Sequence, residues 1–123
     1  MKKFVCAFVI AGLIGLFPTL AGSSGPCPGI DLPMRPLRYN QVAVSSTAVT
    51  LGTMPTTATR IAIVMVEVNP IRFRDDGVDP TASVGTLVQP DNAIIICGPA
   101  ITAFKAIRTG SDASISVALY GDQ

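Results

Sequence analysis

Asp75, Asp76 and Asp79 place three carboxylates within five residues, and Arg72 and Arg74 precede them directly. This is the densest polar cluster of the chain. Carboxylates so crowded can hold a hard cation through oxygen ligands, but the spacing is not that of an EF-hand loop, whose acids fall at alternate positions before the glycine. Asp75 and Asp76 can also be read as the acid pair of a glycoside hydrolase. That chemistry needs carboxyls facing each other across a cleft, and adjacent acids in a turn point in different directions. Asp-Gly and Asp-Pro, both present here, are turn dipeptides. The cluster is therefore expected to be a turn with local salt bridges and no metal. If Ile71–Arg74 is a strand, Arg72 and Arg74 share a face, about 7 Å apart at about 3.4 Å per residue. From there they can clamp Asp75, Asp79 or a partner's acid.

The remaining composition narrows the chemistry further. The chain of 123 residues has no histidine and no tryptophan. A Ser-His-Asp triad, a Cys-His pair, a histidine zinc site and a histidine pH switch are thereby excluded. The glycines are scattered singly, without a phosphate-binding loop. With 9 Lys+Arg against 8 Asp+Glu the formal charge is +1, which makes no electrostatic case for nucleic acid or an anionic membrane surface. A non-catalytic protein without cofactor is expected. Hydrophobic residues make up 49% and charged residues 14%, a balance that favours a folded domain over disorder.

The elements that must position the cluster begin after a leader. Lys2 and Lys3 precede an apolar run from Phe4 to Phe17, which Pro18 ends, and small residues follow at Ala21, Gly22, Ser23 and Ser24. This is the layout of a secretory signal peptide, residues 1–21, with membrane contact confined to that segment before cleavage. Loss of Lys2 and Lys3 with the leader takes the net charge from +1 to −1. Cys27 and Cys97 then remain, and two cysteines in an oxidising compartment suggest one disulfide. The other reading is a pair of buried thiols, with Cys97 packing as a hydrophobe after Ile94-Ile95-Ile96.

Residues 22–38 are rich in Gly and Pro and are expected to form an irregular arm. From residue 39 to 123, runs of Val, Ile, Thr and Ala alternate with turn residues. The expected strands are 40–46, 48–51, 60–69, 71–74, 85–89, 93–97, 104–108 and 113–120, with no helix. The run Ile61-Ala62-Ile63-Val64-Met65-Val66 is apolar at every position, which reads as a central strand covered on both faces. The fold class is all-β: a single antiparallel β-sandwich or small jelly roll of seven to eight strands. So small a core favours a homo-oligomer.

The stretch Ile71 to Gly85 carries Arg-x-Arg-Asp-Asp-Gly-x-x-Pro-Thr-Ala-Ser-x-Gly, followed by a Pro90-Asp91-Asn92 turn and Phe104-Lys105-Ala106-Ile107-Arg108. In these features, from Thr59 to Gly121, the chain resembles a family of small, mostly uncharacterised proteins found among tailed-phage structural genes and prophages. The resemblance implies a virion-associated β-sandwich such as a decoration, neck or tail accessory subunit. Its partners would be protein, either copies of itself or other virion proteins. The leader and the Pro/Cys arm are additions to that pattern. They suggest the alternative of an exported, secreted or periplasmic module that binds an envelope component or a glycan.

Overall fold

The computed structural model describes Cys27 and residues 33–122. The segment expected to be a signal peptide, residues 1–21, and most of the expected arm lie outside the described residues. Seven strands follow in order: β1 (Arg35–Val44), β2 (Thr59–Val68), β3 (Ile71–Arg74), β4 (Thr86–Val88), β5 (Ala93–Cys97), β6 (Lys105–Arg108) and β7 (Ala113–Gly121). A single helical turn, α1 (Ala100–Ala103), stands between β5 and β6. One sheet has the order β1-β7-β2-β5 and the other β4-β3-β6, with every pair antiparallel. The two sheets pack face to face as an all-β sandwich.

Alternation decides which side chains enter the core. Along β7, Ala113, Ile115, Val117 and Leu119 are buried and point inward. Ser114, Ser116, Ala118 and Tyr120 occupy the opposite face, as a period of two requires. Ala62, Val64 and Val66 of β2 and Ile96 of β5 meet them within the sheet. Ile71, Val88 and Ala106 come from the second sheet, and Leu51, Ile101 and Phe104 close the core from the connections. The chain crosses from the first sheet to the second at Asn69-Pro70. There Asn69 adopts a φ of 57°, a conformation asparagine tolerates well, and its amide donates to the Asp112 carbonyl at 2.8 Å.

Four expectations are corrected. The arm does not stay irregular to Arg38: β1 starts at Arg35 and pairs with Gly121 and Tyr120 of β7. Pro36 is compatible with this because β1 is an edge strand, where a missing N–H is tolerated. The ladder shifts register between Pro36 and Arg38, and this bulge, the proline and the arginines are common guards on an exposed edge. Residues 48–51 make no strand, since only Val49 bridges to Ala106, through two backbone bonds of 2.8 Å. That segment runs between the sheets and closes one side of the sandwich. The anticipated absence of helix is overturned by α1, whose Ile101 is buried. Finally, β2 is central in its sheet, but its outward face is only partly covered. Met65 remains 40% exposed and Ile95 beside it 45%.

Gly85 explains how the loop before β4 lies so close to β3. It adopts a φ of +128°, and a Cβ there would lie 2.9 Å from the Phe73 carbonyl oxygen. Only glycine meets both conditions without strain.

Candidate functional site

The Arg/Asp cluster sits where β3 ends. Ile71 and Phe73 point to the core, which sends Arg72 and Arg74 outward. The two guanidiniums do different things. Arg72 donates from Nε to the Ala82 carbonyl at 3.0 Å and from Nη1 to the Gly85 carbonyl at 2.7 Å. It thus binds the backbone of the loop that follows, and no carboxylate. Arg74 donates from Nε to Asp76 Oδ1 at 3.0 Å and from Nη2 to Asp76 Oδ2, a two-pronged pair. Asp76 Oδ1 also accepts the Val78 N–H at 3.1 Å, which closes the turn.

The other two acids lie apart from this pair. Asp79 accepts from Lys105 on β6, and Asp75 is exposed and takes part in none of these bonds. Gly77 N–H donates to the Ala103 carbonyl at 3.1 Å, fastening the loop tip to α1. Thr81 Oγ1 accepts from the N–H groups of Ser83 and Val84 at 3.3 and 3.0 Å and folds the second half of the loop. The arrangement can hold a loop of fixed shape at the end of the sandwich. Among the described residues, no group of three His, Cys, Asp or Glu side chains converges as a metal site.

The hydrogen bonds from Arg74, and then the Val78 N–H, hold the Asp76 carboxyl down to about 2. The same pairing raises the Arg74 guanidinium above its ordinary value. A carboxyl depressed in the folded state adds stability above its unfolded pKa, near 4. That stability is lost as pH falls from there towards 2. Asp76→Asn is therefore expected to shrink the loss of stability between about pH 4 and pH 2. Urea midpoints of both proteins across that range check it, and parallel acid limbs would show that the pair contributes nothing. The carboxylate is exposed, so the change will be modest.

Cys27 and Cys97 are joined by a disulfide, with Cα atoms 5.6 Å apart and a separation of 70 positions in the chain. Cys97 lies opposite Ile61 on the outward side of the four-stranded sheet. That side carries features that residue types alone left unassigned. Ile61, Ile63 and Met65 of β2 face outward next to Ile95 of β5 and to Ala118 and Tyr120 of β7. Met34, Ile61, Ile63 and Tyr120 line a shallow hollow of about 230 Å³. Further along the face, Glu67 accepts hydrogen bonds from Ser116 Oγ and Gln41 Nε2 and forms a polar end to the apolar row. A sign of this was available in the every-position apolarity of β2, which supplies two hydrophobic faces where the sandwich needs one.

Comparison of the chain with protein-family models, with curated proteins and with solved structures finds no match.

Proposed function

We propose that this chain is a non-catalytic structural protein, a subunit of the phage virion-associated accessory kind, which works as a homo-oligomer. The observation that supports the reading is the outward face of the four-stranded sheet. Ile61, Ile63, Met65 and Ile95 form a contiguous apolar row there, with Met65 and Ile95 open to solvent. Such rows rimmed by polar side chains mark protein contacts, because burying them removes apolar surface from water. A second copy supplies a matching row. The domain is small enough to gain from that burial.

Light scattering at micromolar concentration tests the proposal. The expected mass is a multiple of the protomer, and Ile95→Glu with Met65→Glu is expected to give a folded monomer with unchanged far-ultraviolet circular dichroism. A charge placed on each side of the contact is costly to bury without a partner. A strictly monomeric wild type overturns the reading.

The Cys27–Cys97 bond favours a second reading, an exported module that binds an envelope component or a glycan. Disulfides persist in oxidising compartments and are rare in the cytosol. Intact mass of the protein recovered from each cell fraction separates the two. A species that begins near Gly22 and lacks the two thiol hydrogens, found in periplasm or medium, supports export. A full-length reduced species in the cytoplasm refutes it.

A further inference from the structure

Beside the first residues of β1 lies a cleft of about 610 Å³, none of whose lining residues belongs to the apolar row of Ile61, Ile63, Met65 and Ile95. Arg35 and Arg38 stand on one side of it and Thr53, Thr56 and Thr57 on the other, with apolar surface from Leu37 and Met54. The volume falls within the range of small-ligand sites.

Both walls are fixed in place. The Asn40 side-chain amide donates to the Leu51 carbonyl at 3.1 Å and to the Thr53 carbonyl at 2.8 Å, which pins the threonine wall to β1. Its Oδ1 accepts from Arg38 Nε at 3.0 Å, so one side chain sets both walls. Gly52, at a φ of +90°, makes the close approach possible, since a Cβ there would lie 3.1 Å from Asn40 Nδ2. Arg35 Nε is held by the Asp122 carbonyl at 3.1 Å. Each guanidinium is thus anchored through Nε, and none of these bonds uses its terminal NH₂ groups. Among the described residues no carboxylate lines the cleft, and that of Asp122 is taken by Arg60 at 2.9 Å.

We propose that this cleft binds a carboxylated sugar, such as a hexuronate unit of an acidic polysaccharide. A guanidinium with free terminal NH₂ groups matches a planar carboxylate. Threonine hydroxyls donate to and accept from ring hydroxyls, and Leu37 and Met54 offer contact to the C–H face of the ring. Prior anchoring of both walls lowers the entropic cost of binding. The inference rests on the binding-module reading given above, and its test is independent of where the protein is found and of its oligomeric state.

The test is a titration of the oxidised, ¹⁵N-labelled protein with trigalacturonate, followed through its amide signals. Saturable shifts at Arg35–Asn40 and Thr53–Thr57 in the millimolar range or below are expected. Loss of a charged hydrogen bond in Arg38→Gln is expected to weaken binding about tenfold. Thr57→Val is expected to weaken it several-fold. Neutral chitotriose and inorganic phosphate serve as comparison ligands. The proposal is overturned if trigalacturonate leaves these signals unmoved. It is equally overturned if chitotriose binds as well, or if phosphate competes as strongly while Thr57→Val has no effect, since the cleft would then recognise charge alone.

Discussion

Phe104→Ala is expected to cost about 3–5 kcal/mol of folding free energy, the range for emptying a large aromatic site in a packed core. Phe104 is fully buried and leads the largest side chains that are. Its ring stacks on Phe73 with centroids 5.3 Å apart and an interplanar angle of 22°. The position has no slack. Phe104 leaves α1 in extended conformation and feeds β6, so its backbone is held by both neighbours and the site cannot collapse around a methyl group. Among the described residues Phe73 is the only other phenylalanine, and it is already engaged in the stack. Small domains are stable by about 5–15 kcal/mol in total, so this one change removes a large part of the reserve. Guanidinium unfolding followed by circular dichroism measures it, and a loss below about 1 kcal/mol, the size of an ordinary surface change, would show that Phe104 does not anchor the core.

Removal of the Cys27–Cys97 bond in the double variant C27S/C97S is expected to have an effect of similar size by a different route. The bond spans 70 residues. In the chain-entropy account, cross-links closing loops of 15 and 100 residues add about 3 and about 4.7 kcal/mol, so about 4 is expected here. The loss acts through the unfolded chain, which regains the freedom that the cross-link denied it. For a domain of this size such a loss lowers the midpoint of thermal unfolding by roughly 15–30 °C. The wild type under reductant is expected to match the variant, and reductant is expected to leave the variant unmoved. Equal midpoints for oxidised and reduced wild type would show that the bond carries no stability.

How far the residues foretold the structure depended on whether local chemistry or distant packing decided each point. The alternation of β7 and the short strand β3 were legible because a period of two answers to one covered face, and both strands have one. The run through β2 misled for the same reason. Apolar residues at every position read as burial on both faces, while the second face of β2 is outward and partly open. Pro36 read as a strand breaker because its place at a sheet edge is a property of the pairing and has no local sign. At the cluster, the Arg74–Asp76 pair stands among neighbours in sequence and was within reach of inspection. Lys105, the partner of Asp79, comes from a strand 26 residues away. The work of Arg72 on two backbone carbonyls was equally hidden, since carbonyls carry no residue-type signature. The cleft beside β1 has no local signature, because its walls meet through Asn40, a residue that in sequence looks like an ordinary polar strand position.

The strand order β1-β7-β2-β5 has a consequence for the time at which this protein can fold. β7 is the latest strand to be made, yet it lies between β1 and β2, the two earliest. Until Ala113–Gly121 has left the ribosome, β1 has no ladder to join, and β2 can pair only with the five-residue β5. Contacts of such long range in the chain also form slowly. The four-stranded sheet therefore closes only once β7 has been made, whereas the β4-β3-β6 sheet has all its strands before then.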